Sequence, residues 1–118
     1  MGSRRIQGRL AVDGLQVRSH LTLPVTESHD STYTVLDNDV IIAVTRSAHG
    51  TSAITIPTAG MWAGRVLIFD DAGLNANNQT ITISTEGSED IDGGDTATIT
   101  TAGGSVRLYS DGSNWFTF

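Results

Sequence analysis

A cluster of acidic side chains between residues 86 and 95 is the densest group of residues that could bind a metal ion. The carboxylates belong to Glu86, Glu89, Asp90, Asp92 and Asp95. Carboxylate oxygens are the ligands that Ca²⁺ prefers, and the step from Asp90 to Gly93 resembles the start of a calcium-binding loop. The remaining ligand spacing and the closing glutamate of such a loop are missing. We therefore interpret the cluster as a solvated turn and expect no metal and no other cofactor.

Catalytic arrangements are not recognisable elsewhere in the sequence. The histidines His20, His29 and His49 are scattered without the spacing of a zinc site, and cysteine is absent. The sequence contains no Gly-x-Ser-x-Gly nucleophile turn and no glycine-rich phosphate loop before a helix. These observations predict that the protein is not an enzyme.

Aromatic side chains offer a third kind of chemistry, because their rings can stack on sugars. Trp62 lies in a glycine-flanked loop beside Met61 and is the candidate for ligand contact. Trp115 stands in a terminal strand, where a core or subunit-interface position is expected. For Trp62 as well, packing is favoured over binding, since buried aromatic residues dominate core and interface energetics.

The elements that must position these residues are β-strands. No segment keeps the apolar spacing of a helix, whereas Thr, Val, Ile and Gly dominate and turn residues recur at short intervals. Ser105–Tyr109 and Trp115–Phe118 are predicted to form a terminal hairpin, with Gly112 in its turn and Phe118 packed. The fold class predicted is all-β: a small antiparallel β-sandwich or barrel with an extended N-terminal arm.

Two strands, Val40–Thr45 and Arg65–Phe69, are apolar on both faces, so both faces should be covered. Apolar residues make up only 38% of the chain and aromatic residues 6%, a lean composition for a self-sufficient monomer. Closed cyclic symmetry is the usual way for a protein to hide such a surface. We therefore expect a homotrimer.

Charge divides the chain unequally. Residues 1–18 carry four arginines against Asp13, while the whole chain has a net charge of −6. An acidic body argues against nucleic-acid binding, and no apolar run is long enough to predict a membrane span. A basic segment on an acidic body suits docking onto an acidic partner.

The predicted division is an attachment arm with a linker at residues 1–32 and a β-domain at residues 33–118. Pro24 ends the apolar part of the arm, and the polar run Thr26–Ser31 serves as the linker. Charge should set the approach to a partner, and apolar contacts should set the residence time. The candidate attachment residues are Arg4, Arg5, Arg9, Leu15, Val17, Leu21 and Leu23.

Several motifs occur together in residues 33–118. They are Tyr33-Thr-Val35, Asp39-Val-Ile41, Ile54-Thr-Ile-Pro57, Gly64-Arg-Val-Leu-Ile-Phe-Asp-Asp-Ala-Gly73, Ile81-Thr-Ile83, Ile91-Asp-Gly93 and Ser105-Val-Arg-Leu-Tyr-Ser-Asp-Gly-Ser-Asn-Trp115. In this order they resemble the C-terminal β-module of bacteriophage appendage proteins, such as tail fibres, head fibres and spikes. The resemblance implies a non-enzymatic, usually homotrimeric β-structure on a virion. It carries no fixed set of binding residues.

The function expected from these observations is that of a trimeric capsid decoration or head-spike protein, assembled in the host cytoplasm and located on the virion. One alternative is a tail-fibre or receptor-binding tip that contacts host-surface polysaccharide. Another is a carbohydrate-binding module of a secreted enzyme. The expected partners are other copies of the chain and phage capsid or tail proteins, with host-surface polysaccharide added in the first alternative. Neither nucleic acid nor a membrane is expected to bind.

Overall fold

The computed structural model describes residue 14 and residues 16–47 and 49–118. Within these residues, no helix is long and apolar enough to cross a membrane. The described chain forms strands and one short 3₁₀ turn, Thr58–Gly60. The strands are β1 Val25–Ser28, β2 Thr32–Thr34, β3 Ile41–Val44, β4 Gly50–Ile56, β5 Val66–Asp70, β6 Gln79–Thr85, β7 Thr96–Ile99, β8 Ser105–Ser110 and β9 Trp115–Thr117.

The strands form a five-stranded sheet, in the order β1-β3-β5-β8-β9, and a four-stranded sheet, in the order β2-β4-β6-β7. From β1 to β6 the chain passes from one sheet to the other at every step. Strands β3 to β6 therefore each pair in parallel with the strand two positions earlier in the chain, as in successive coils of a β-solenoid. The last three strands pair antiparallel: β7 with β6, β8 with β5 and β9 with β8.

The all-β prediction is confirmed, but the antiparallel arrangement is wrong. Both sheets are mixed, and they do not close into a barrel. Strand length and turn spacing do not distinguish a hairpin from a crossover to a second sheet. The connections between β1 and β6, which are short enough for hairpin loops, lead from a strand of one sheet to a strand of the other sheet.

The structure also corrects the assignment of residues 26–31 to a linker. Residues 25–28 form β1, which pairs with β3 along its length, from Val25 opposite Ile41 to Ser28 opposite Val44. Ser28 is buried although it is polar, and its carbonyl accepts a hydrogen bond from the amide of Thr45 at 2.9 Å. The polar composition of this strand concealed it, because an edge strand needs few apolar residues.

The core lies between the two sheets and is built by strict alternation along each strand. In the five-stranded sheet Leu67 and Phe69 point inward, and in the four-stranded sheet Ile81 and Ile83 do the same. Trp115 in β9 is also fully buried. The buried apolar residues form one cluster: Val35, Ile42, Val44, Ile54, Ile56, Leu67, Phe69, Ala76, Ile81, Ile83, Ile91, Ile99, Leu108 and Trp115.

A buried carboxylate, that of Asp39, ties the first strands of the two sheets together. Its oxygens accept hydrogen bonds from the hydroxyl of Thr26 in β1 and from the hydroxyl of Tyr33 in β2, each at 2.6 Å. The amide of Leu36 donates a third at 2.8 Å. Burial, the hydrogen bond to Asp39 and the charge of Asp39 together raise the pKa of Tyr33 to about 12. Asp39 thus joins two strands that belong to different sheets.

The terminal hairpin is confirmed, with β8 and β9 paired across a turn in which Gly112 has a φ of +97°. The Asp111 side chain accepts hydrogen bonds from the amides of Ser113 and Asn114 at 2.8 and 2.9 Å, and these bonds stabilise the turn. The expectation that Phe118 is packed is wrong, because this residue is 55% exposed. Trp115, three residues earlier, is the hairpin's buried residue.

Candidate functional site

The outer face of the five-stranded sheet is apolar and open to solvent in the single chain. One row of outward residues crosses four strands, from Val25 through Ile41 and Ile68 to Arg107. Val25 is 60% exposed, and Ile41 and Ile68 are half-buried. We call this surface the apolar face; it consists of Val25, Glu27, Ile41, Ala43, Val66, Ile68, Asp70, Ser105, Arg107, Tyr109, Phe116 and Phe118.

Aromatic rings occupy one corner of the apolar face. The ring of Tyr109 stacks on that of Phe116 at a centroid distance of 5.4 Å, and the ring of Phe118 meets Tyr109 edge-on at 5.8 Å. The guanidinium of Arg107 lies 5.2 Å from the Phe118 ring centre. Tyr109 nevertheless remains 41% exposed, so these rings do not cover one another. Aromatic residues and arginine are the residue types that concentrate binding energy in protein interfaces.

Charged groups of both signs lie on the apolar face. Glu27 is in β1, at one edge of the sheet, and Asp70 is in β5, at its centre. Arg107 is in β8, next to the opposite edge, and its side chain donates to the Phe118 carbonyl oxygen at 3.1 and 2.8 Å. Within the described residues, no Asp or Glu side chain lies within 4.0 Å of Arg107, whereas Glu27 contacts His29 at 3.4 Å.

The outer face of the four-stranded sheet has a different character. Its outward residues are threonine, with one alanine and one serine, and they stand in register across the strands. We call it the threonine face; it consists of Thr32, Thr34, Thr51, Ala53, Thr55, Thr80, Thr82, Ser84, Thr96 and Thr98. Threonine alternates with aliphatic residues along β6 and β7, so the two residue types occupy opposite faces of these strands.

The candidate attachment residues lie partly within the described chain. Arg4, Arg5, Arg9 and Leu15 fall outside it. Val17, Leu21 and Leu23 are described, are exposed, and belong to no strand. Leu21 is the most open of them, at 65% exposure, and none of the three belongs to the core cluster.

Trp62, the candidate for ligand contact, is half-buried at the end of the loop before β5. The guanidinium of Arg65 lies over its ring, 4.4 Å from the centre. Arg65 is itself buried and donates hydrogen bonds to the carbonyl oxygens of Gly60, Leu36 and Asp39. Burial lowers the pKa of Arg65, and the nearby charges of Asp37 and Asp39 oppose that shift. The ring face of Trp62 that meets Arg65 is thus occupied by a fixed part of the fold.

Two carboxylates of the acidic cluster, those of Asp92 and Glu86, accept hydrogen bonds from backbone amides. The Asp92 side chain accepts the amide of Thr117 at 2.9 Å and its hydroxyl at 2.5 Å, which lowers the pKa of Asp92. A Glu86 oxygen accepts the amide of Thr58 at 3.3 Å. In the described residues, no three acidic or histidine side chains come together as a metal site would require.

The apolar face was only partly visible in the sequence. The unbroken apolar runs in β3 and β5 predict that both of their faces are apolar, and the outward positions of Ile41, Val66 and Ile68 follow from that pattern. The contribution of Val25 does not follow from the sequence, because residues 1–32 are assigned to the arm and its linker rather than to a strand. The corner formed by Tyr109, Phe116 and Phe118 depends on sheet order, which the sequence does not reveal.

Comparisons with known proteins do not assign the chain to a family. No protein-family model matches it, and a search of curated proteins finds no significant relative.

Proposed function

We propose that the protein is a non-enzymatic structural component of a bacteriophage particle: a homotrimer that decorates the capsid or forms a head spike. The observation that carries the proposal is the apolar face. A sheet face with exposed Val25, Tyr109 and Phe118 is costly for a soluble monomer and marks a surface to be covered. An assembly of identical copies is the simplest structure that covers it.

The motif resemblance supports the virion part of the proposal. The resembling segments occupy strands throughout the fold: Ile54–Pro57 falls in and just after β4, Gly64–Gly73 contains β5, and Ser105–Trp115 spans β8 and the hairpin turn. They therefore include the residues that make both the core and the apolar face. A module in which those positions agree with appendage proteins is suited to the same kind of assembly.

The N-terminal segment is proposed to attach the trimer to the particle. Arg4, Arg5 and Arg9 supply positive charge for an acidic docking surface. The described part of the segment adds exposed Leu21 and Leu23, which are available for apolar contact. Exposed ion pairs contribute only about 0–1 kcal/mol each, so the arginines should govern the association rate and its salt dependence. The leucines should govern dissociation.

Two variants of the full chain test this attachment separately. Replacing Arg4, Arg5 and Arg9 by serine should slow binding to particles that lack the protein and flatten its salt dependence. The variant L21S/L23S should instead speed dissociation, and each variant is the control for the other. If both decorate particles as fully as the unmodified chain, attachment runs through the β-domain. If the unmodified chain fails to bind particles, the virion assignment is wrong.

A receptor-binding tip is the second candidate function, and the threonine face favours it. Registered hydroxyl groups of residues such as Thr82 and Thr98 can exchange hydrogen bonds with sugar hydroxyls. Binding of the purified protein to host cells, blocked by the isolated surface polysaccharide, would support this function. Binding to capsids but not to cells would favour the capsid decoration.

A further inference from the structure

We infer that a second copy of this chain covers the apolar face, and that neighbouring copies meet head to tail, with Arg107 of one copy against the acidic residues of the next. The inference rests on the proposed homotrimer and names its contact surface. It starts from a contrast within one chain. The threonine face is polar, as expected of a sheet face turned to water, whereas the outer face of the other sheet is not.

Val25, Ile41 and Ile68 form an uncharged row of the apolar face, beside the row that contains Glu27 and Asp70. Ile41 and Ile68 are directly paired across β3 and β5, and Val66 lies two residues before Ile68 on the same side of the sheet. These side chains are half-buried by one another, so a flat partner surface would remove the remainder from water. Burial of such area is the main favourable term in protein association.

The charges at the sides of the face identify the partner. Glu27 stands in the edge strand β1 and Asp70 in the central strand, while Arg107 stands on the far side in β8. In the described chain the Arg107 guanidinium contacts the main-chain oxygen and the ring of Phe118 but no Asp or Glu side chain. A face with an uncharged apolar row, acidic residues in β1 and β5 and a basic residue in β8 carries both of the charges that a second copy of the same face can pair.

The same distribution of charge argues against the other occupants. An occupant with positive charge alone, such as the N-terminal segment with Arg4, Arg5 and Arg9, would leave Arg107 without an acidic partner. A shell protein with an acidic surface would meet Glu27 and Asp70. Only an occupant with both signs in matching places satisfies the whole face, and a second copy carries that pattern.

A head-to-tail contact also accounts for a closed assembly. When the basic side of one copy meets the acidic side of the next, the two surfaces in contact differ, and such contacts generate rings if the rotation closes. Three copies with their apolar faces toward a common axis would bury those faces together. The threonine faces would then form the outside of the trimer.

The test measures the mass of the full chain in solution by light scattering. The unmodified chain should have about three times the 12.5 kDa mass of one chain. Ile68→Glu should reduce the mass to that of one chain. The matched control is Thr82→Glu, which places the same charge on a half-buried, outward position in an inner strand of the other sheet and should leave the mass unchanged. Circular dichroism should report the same β-structure for all three proteins.

A second pair of variants keeps the test decisive if Ile68→Glu fails to fold. Arg107→Glu changes only an exposed side chain and should weaken assembly about tenfold or more. Adding Asp70→Arg should restore it. Retention of the trimer mass by both Ile68→Glu and Arg107→Glu would overturn the inference, as would dissociation caused by Thr82→Glu.

The failure of this inference is distinguishable from failure of the proposed function. A single-chain mass for the unmodified protein overturns the contact between copies, but particle binding, measured separately, still decides the virion assignment. If that single chain binds particles and Ile68→Glu abolishes the binding, the apolar face docks on shell protein rather than on a second copy, and the inference is wrong.

Discussion

The two sheets share one core and differ in what they present outside. On the five-stranded sheet the alternate positions outside the core are held by Val25, Ile68 and Tyr109, and on the four-stranded sheet by threonines such as Thr82. Threonine and isoleucine have similar strand propensity, because both are β-branched. Secondary structure therefore does not require the difference. In the proposed assembly the two outer faces meet different surroundings, one a second copy of the chain and the other water.

The contrast is sharpest where the two sheets begin. β1 and β2 are both edge strands, each paired in parallel on one side alone. Val25 in β1 and Thr32 in β2 both point outward and are exposed. Two consecutive strands thus expose a valine on the outer face of one sheet and a threonine on the outer face of the other.

The largest effect should come from the inner faces, which the two sheets have in common. Phe69→Ala should lower the free energy of unfolding by about 3–5 kcal/mol and Ile83→Ala by about 2–5 kcal/mol, since both side chains are fully buried. The outward neighbour provides the control, because Thr82→Ala should stay within about 0.5 kcal/mol. Urea unfolding measures all three. An Ile83→Ala cost no larger than that of Thr82→Ala would mean that the faces of β6 are assigned the wrong way round.

Tyr33→Phe should have the next largest effect, because it removes a hydrogen bond to the carboxylate that joins the two sheets. Hydrogen bonds to charged groups are worth about 1.5–3 kcal/mol, and the half-buried position of Tyr33 places the loss near 1.5 kcal/mol. Tyr109→Phe, the same change on the apolar face, should alter the monomer by less than about 0.5 kcal/mol. Equal effects of the two substitutions would show that the link through Asp39 contributes nothing.

Alkaline pH should loosen the same link. The pKa of Tyr33 is raised to about 12 in the folded protein, above the ordinary value of about 10 in an unfolded chain. A group whose pKa is raised by folding contributes stability that is complete below its unfolded pKa and is lost as pH rises toward its folded pKa. The free energy of unfolding should therefore decline from about pH 10 to about pH 12. A Tyr33→Phe protein that declines just as steeply would contradict this assignment.

Acid should act on the edge of the five-stranded sheet, with the smallest effect on the molecule as a whole. The hydroxyl and amide of Thr117 lower the pKa of Asp92, and the amides of Asn114 and Ser113 lower that of Asp111. A carboxyl group whose pKa is lowered by folding stabilises the fold at pH values above its unfolded pKa. This stabilisation is lost as pH falls below about 4.

Hydrogen exchange of the β9 amides should therefore quicken below about pH 4, after correction for intrinsic rates. Strand β7, at the edge of the other sheet, receives no carboxylate hydrogen bond in the described residues and is the internal control. Asp92→Asn should remove much of the pH dependence in β9. Equal quickening of β7 would mean that acid loosens the whole fold rather than this edge.

Much of the fold follows from the sequence, and what does not follow has a physical cause. Alternation predicts inward residues such as Ile54 and Ile83, and the hairpin around Gly112 is marked by its turn residues. The parallel stacking has no such signal. Val25 stacks on Ile41, which stacks on Ile68, and these unequal separations leave no repeat to detect.

The candidate site was predictable in composition but not in position. The sequence indicates that β3 and β5 are apolar on both sides, yet only sheet order shows that Arg107 and Glu27 lie on opposite sides of one face. The sequence shows Trp62 as an aromatic residue in a loop. It does not show that Arg65 lies over the Trp62 ring, because Arg65 is held by hydrogen bonds to residues far away in the chain, such as Leu36. The position of Arg107 relative to Glu27 and the contact between Trp62 and Arg65 both depend on contacts between segments that are far apart in the chain.

Thiol labelling gives the most direct test that the apolar face is covered and the threonine face is open. The chain contains no cysteine, so Val25→Cys and Thr32→Cys each introduce a single reactive group. The two positions are exposed edge-strand residues of the same coil in the single chain. In the proposed assembly, Thr32→Cys should react with a maleimide much faster than Val25→Cys, and dissociation should bring the two rates together. Equal labelling rates in the native protein would contradict the account.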